Sequence, residues 1–110
     1  MDAAFIESIR RKYRFAFAFY LTVGTIEPRK NHLQLLRAVQ QNREWFQAKQ
    51  KKLVIVGRQG WGYAALLLEI KRLRLQDLVL ILGHVPDEEL TALYHIAECL
   101  ILPEPRRLCK

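Results

Sequence analysis

The sequence predicts an α/β domain of three layers, a parallel sheet with helices on both faces, and three observations carry that expectation. Three short apolar runs each end in glycine: Phe19–Gly24, Leu53–Gly57 and Leu78–Gly83. The stretches between them repeat apolar residues at helical spacing. The two kinds of segment alternate with no linker between them, the order that right-handed crossovers between parallel strands require. At 110 residues the chain has room for one hydrophobic core and not for two. Residues 1–14 are expected as a leading helix or linker, 15–103 as the domain and 104–110 as an unstructured tail.

Each element follows from local chemistry. The three runs are apolar at successive positions, so both faces of each strand must be covered. Ala3–Tyr13 reads as the leading helix. A second helix is expected from about Asn31, a good N-cap residue, with Leu35, Ala38, Val39, Trp45 and Phe46 on one side. Tyr63, Leu66, Leu67, Ile70 and Leu73 mark the next helix. Leu90, Leu93, Tyr94 and Ala97 mark another, opened by Pro86 and the acidic Asp87, Glu88 and Glu89. A fourth apolar run, Cys99–Leu102, stops at Pro103.

Composition excludes several classes. Hydrophobic residues at 51% and charged residues at 26% match folded domains and give no reason to expect disorder. The longest strongly apolar run, Phe15–Val23, is far short of the roughly 20 residues a membrane-spanning helix needs. The amino terminus carries Asp2 early and lacks the basic start and apolar middle of an export signal, so the cytoplasm, or the inner face of the membrane, is the expected location. Cys99 and Cys109 form no Cys-x-x-Cys motif and are expected as buried or idle thiols. The formal charge of +7 is spread over clusters around residues 10–14, 49–52, 71–74 and 106–110. Three of these flank or end helices, where cations complement the carboxyl-end dipole. A basic surface also attracts phosphates, nucleic acid and anionic membrane.

In an open parallel sheet the ligand crevice lies beyond the carboxyl ends of the strands, where all three glycines fall. The stretch Gly24-Thr25-Ile26-Glu27-Pro28-Arg29-Lys30-Asn31 joins a strand end to a helix start. Unpaired N–H groups at a helix amino terminus, with Arg29 as a bidentate fork and Lys30 as a mobile charge, suit a diphosphate. A solvated Arg-Lys pair is the other reading. The loop that opens at Gly57 and runs to Gly62 matches neither the dinucleotide fingerprint nor the P-loop. Gly83-His84-Val85-Pro86-Asp87 could present backbone to a flat ring. No nucleophile elbow, zinc motif or cysteine cluster is present, so no metal is expected and no catalytic residue is assigned. Glu27, Asp77, Asp87, Glu88, Glu89 and Glu98 lie near loops or helix ends without a partner that the sequence identifies.

The ordered pieces Val-Gly-Thr-Ile-Glu-Pro-Arg-Lys-Asn, Leu-Val-Ile-Val-Gly-Arg-Gln-Gly-Trp, Leu-Gly-His-Val-Pro-Asp-Glu-Glu-Leu and Ala-Glu-Cys-Leu-Ile-Leu-Pro resemble the C-terminal lobe of glycosyltransferase family 4, or group 1. The resemblance covers roughly Phe19 to Pro103. It implies an incomplete Rossmann-like GT-B lobe, which in the family takes part in retaining transfer from a nucleotide-diphosphate sugar, a GDP- or UDP-sugar, usually without a bound metal. It further implies that the first turn holds the donor diphosphate. Lys30 matches the family lysine, Thr25 stands where an arginine is most often found, and Arg29 would compensate. Gly83, His84 and Val85 match the turn whose backbone lies against the base. The family continues from the strand-terminal proline into Ser-x-x-Glu-Gly-Phe-Gly, whereas this chain reads Pro103-Glu104-Pro105-Arg106-Arg107-Leu108-Cys109-Lys110. The resemblance therefore implies a truncated lobe, inactive alone, of an enzyme acting on a cell-surface glycan or lipid-linked acceptor. Two alternatives stay open: a subunit completed by a separate acceptor-lobe polypeptide, and a non-catalytic basic module for nucleic acid or anionic membrane. Aromatic residues lie mainly within the strands and helix faces, so no specific nucleic acid is expected.

Overall fold

The glycine-ended runs become three adjacent parallel strands, and a fourth parallel strand joins on the far side of the first. The computed structural model describes residues 2–24, 26, 32–60, 62–101 and the backbone of 107–109. In chain order the elements are α1 (Ala3–Lys12), β1 (Ala18–Val23), α2 (His32–Gln41), α3 (Arg43–Ala48), β2 (Lys51–Val56), α4 (Tyr63–Arg72), β3 (Val79–Gly83), α5 (Asp87–Ile96), β4 (Cys99–Ile101) and β5 (Arg107–Cys109). The sheet order is β3-β2-β1-β4-β5, with β1 and β2 in register from Ala18↔Lys51 to Val23↔Val56.

Strand alternation divides the core between the two faces. Leu53, Ile55 and Val79 point to one side, where Leu36, Val39, Phe46, Leu66 and Ile70 from α2, α3 and α4 cover them. Phe19, Leu21, Val54 and Val56 point to the other, against Ile9 of α1 and Ala92 and Leu93 of α5. Burying each large side chain contributes about 1.5–3 kcal/mol, so the layers hold by apolar contact. The three-layer α/β architecture expected from the runs is the one observed. At the amino ends of the strands the filling is bulky: the Lys51 Nζ lies 5.7 Å from the Tyr20 ring and 5.1 Å from the Trp45 ring and bonds Glu98 at 2.6 Å. Lys52 covers Phe17 in the same way.

Three local expectations differ from the structure. The single helix expected from Asn31 through Phe46 is two helices, broken at Asn42. There the side-chain amide donates to the Ala38 carbonyl at 2.8 Å, a bond that competes with helical continuation. Residues 107–109, read as part of an unstructured tail, pair antiparallel with β4, Cys109 standing opposite Cys99. Three residues paired through their backbone leave no periodic signature in a sequence. Cys99, expected as a buried or idle thiol, is buried as expected but is not a free thiol.

Three helices, α1, α3 and α4, end by a device without a glycine. Arg14, Gln50 and Arg74 adopt φ of 57°, 54° and 55°, each between a helix and the strand that follows. The left-handed residue lets the chain reverse and return hydrogen bonds to the last helical carbonyls, as Phe15 N–H does to Arg10 and Leu75 N–H to Ile70, both at 2.9 Å. A side chain in this region costs about 1 kcal/mol relative to glycine. Gln50→Gly, at an exposed position, should therefore raise stability by about 0.5–1 kcal/mol in urea denaturation.

The strand ends do depend on glycine. Gly57 has φ of 152°, and a Cβ there would stand 1.8 Å from the Gly24 carbonyl oxygen. Gly57→Ala must push the ends of β1 and β2 apart, at a cost on the order of 3 kcal/mol or more. Its cooperative thermal transition should fall steeply or vanish, whereas Gly83→Ala, with open space around its Cα, should retain one.

Candidate functional site

The three glycine turns meet at one rim of the sheet. Gly24 N–H donates to the Val56 carbonyl at 2.9 Å, Ile26 N–H to Arg58 at 3.0 Å, and Gly57 N–H to Gly83 at 2.8 Å. Each turn is thus tied to the next by backbone. The N–H groups of Gly24 and Gly57 are spent on this lacing, and Gly57 serves the close packing of the first two turns. Ile26 is buried against the α2–α4 face and anchors the first turn. The helix that follows, α2, begins at the buried His32, which sets a helix amino terminus where the first turn ends. Thr25, Glu27, Arg29, Lys30 and Asn31 lie outside the described residues.

The β3–α5 turn offers two different faces. His84 is exposed on it, while the Val85 side chain is buried in the cluster that includes Ile9 and Phe19. Only the backbone of Val85 can face a ligand. Gly83 has φ of 72°, and the turn continues through Pro86, whose carbonyl accepts from Leu90 N–H at 2.9 Å.

Sequence reasoning passed over one group here and left a second without its partners. Thr22 is wholly buried two residues before Gly24, and its Oγ1 has no hydrogen-bond partner among the described residues. A single hydroxyl inside an apolar run was the available signal. Glu89, which the sequence left without a partner, accepts from Tyr13 Oη at 2.5 Å and from Lys12 Nζ at 2.7 Å. Lys12 and then Tyr13 hold its carboxyl below the usual carboxylate range. Burial, then the bond to Glu89, pushes the Tyr13 phenol up. Glu98 likewise has a partner, Lys51.

Several cations are occupied by the fold. Arg10 and Arg11 face Glu7, Arg72 bonds Glu69, and Arg43 donates to the carbonyls of Leu73 and Arg74. Arg10, Arg11 and Lys12 close α1, and Lys71 and Arg72 close α4, the dipole-complementing positions expected of them. An apolar cavity of about 280 Å³ lies between Tyr20, Val39, Trp45, Phe46 and Ile101. Among the described residues no charged side chain and no residue of the glycine turns lines it, which does not suit a diphosphate. Among the described residues no group of three His, Cys, Asp or Glu side chains could hold a metal, and no helix is long and apolar enough to cross a membrane.

Known proteins resemble this chain in sequence and in fold. The serotype-specific mannosyltransferase WbdA of Escherichia coli is 36% identical over 83 residues, which span 74% of this chain and 10% of that protein. The O-antigen chain mannosyltransferase B of Escherichia coli is 34% identical over 100 residues, spanning 86% of this chain and 25% of that protein. The chain thus spans a quarter or less of the length of these relatives. Among solved structures, Anabaena Alr3699/HepE, crystallised with UDP and glucose, superposes with a TM-score of 0.71 at 22% identity, over 91% of this chain and 27% of that one. The shared fold is a Rossmann-like α/β sheet with helices on both faces. With residues 5–106 matching the model for glycosyl transferases group 1, and the glycine turns laced at the rim where such a sheet binds its ligand, the chain belongs to the group 1 glycosyltransferases.

Proposed function

We propose that this chain forms the donor-binding part of a retaining glycosyltransferase that uses a nucleotide-diphosphate sugar, and that transfer requires a second, acceptor-binding lobe. The observation that carries the reading is the convergence of the turns after Gly24, Gly57 and Gly83 on one rim, next to the amino terminus of α2. In the transfer the bond between the anomeric carbon and the diphosphate oxygen breaks. A new bond forms to an acceptor hydroxyl with the same anomeric configuration, and the hydroxyl proton passes to the departing diphosphate oxygen. Negative charge builds on the departing diphosphate, and preorganised donors and cations at a helix start stabilise such charge. Thr25, Glu27, Arg29, Lys30 and Asn31 are assigned to the diphosphate turn by sequence match to the family. Gly83, His84 and Val85 are assigned to the base. Mannose is the sugar that the relatives' names suggest, and a cell-surface polysaccharide the acceptor class. The nucleotide is GDP or UDP. We place the working enzyme in the cytoplasm, at the inner face of the membrane, where its positive charge would meet anionic lipid and a separate acceptor-lobe polypeptide would complete the cleft. A stand-alone basic module is the weaker reading, because Lys12, Lys51, Arg43 and Arg72 are engaged within the fold.

Calorimetric titration with GDP and UDP tests the assignment. The expected dissociation constant is on the order of 0.1–1 mM, weakened further by salt. Arg29→Ala combined with Lys30→Ala should reduce this affinity by about tenfold or more, the loss of two charge-assisted contacts. Unchanged affinity in the double variant would remove the first turn as the anion site, and low-micromolar binding by the parent chain would show that the donor site needs no further lobe.

A further inference from the structure

We infer that α1 is a positioning clasp for the β3–α5 turn: Tyr13 and Lys12 grip Glu89 in the first turn of α5 and thereby set the backbone at Gly83, His84 and Val85 that meets the donor nucleotide. This rests on the donor-binding reading and extends it to residues far from the rim in sequence.

Both oxygens of Glu89 are taken, Oε1 by the Tyr13 hydroxyl and Oε2 by the Lys12 ammonium, and its side chain is only 16% exposed. Its neighbours Asp87 and Glu88 are exposed, so helix-dipole complementarity in the first turn does not by itself account for where Glu89 points. The turn it controls is short. Only His84, Val85 and Pro86 separate β3 from α5, and both ends are pinned, Gly83 by Gly57 N–H and Pro86 by Leu90 N–H. Three residues cannot absorb a shift of the first turn of α5 without passing it to the backbone between. The leading helix also reaches this turn through apolar contact, since Ile9 and Val85 share one buried cluster with Phe15 and Leu93. Tyr13 is itself held, its ring stacked on Phe15 at 5.7 Å. With Glu89 held ionised and the Tyr13 phenol held protonated, the clasp keeps this state through neutral pH.

The test uses the whole 110-residue chain with GDP and UDP as probes. Tyr13→Phe keeps the ring stack and removes only the donated hydrogen bond; Glu89→Gln removes the ion pair with Lys12. Both should weaken nucleotide binding by about three- to tenfold, the fold-change to which the net loss of one ordinary hydrogen bond converts. Both should also displace the Gly83 and Val85 amide signals in proton–nitrogen correlation spectra, while Lys30→Ala weakens binding and leaves those two signals in place. Signals that move only within α1, with affinity unchanged, would overturn the inference and reduce the clasp to a tether for the leading helix. A parent chain that binds neither nucleotide would defeat the donor reading and the inference with it, whereas normal parental binding that both clasp variants retain would defeat the inference alone.

Discussion

The backbone contact between Gly57 and Gly24 governs this molecule. The carbonyl of one strand end occupies the space where the other would carry a side chain, and the two ends close to a distance that only glycine permits. From that approach the rest of the rim follows: the first turn bonds to the second through Ile26 and Arg58, and the second bonds to β3 through Gly57 and Gly83. Among the described residues the rim is thus held together by its own backbone. Preorganised backbone of this kind reduces the ordering cost of binding.

The features legible in the sequence were those with a periodic or conformational signature. Apolar runs stopped by Gly24, Gly57 and Gly83 located three strands to within about two residues, because doubly covered strands leave a continuous apolar run and strand-to-helix turns of this sharpness call for glycine. Arg14, Gln50 and Arg74 had no such mark. They take the left-handed conformation although they are not glycine, under hydrogen bonds that reward the reversal. Asn42 was equally silent, because one asparagine inside a helical pattern breaks the helix only when its side chain turns back to the Ala38 carbonyl. The candidate site was read less fully. Val85 was assigned by resemblance, and the structure adds that its side chain belongs to the core. The partners of Glu89 come from a helix distant in sequence, and only the fold brings them together.

The two faces of the sheet divide the labour. The α2–α4 side holds the aromatic residues that surround the cavity beside Trp45, a feature separate from the rim. The α1–α5 side holds a continuous cluster that includes Val85 and so couples packing directly to the turn after β3. Membership of the group 1 family fits this division, since the family's chemistry requires a stable sheet whose turns can diversify.

The lysines laid over aromatic rings set the amino ends of the strands apart from their carboxyl ends. One end is crowded by Phe17, Tyr20 and Trp45 under the stems of Lys51 and Lys52, and at the other Gly57 and Gly24 meet through their backbone. At the crowded end the strands are roofed by side chains, whereas at the glycine end β1 and β2 come into direct backbone contact.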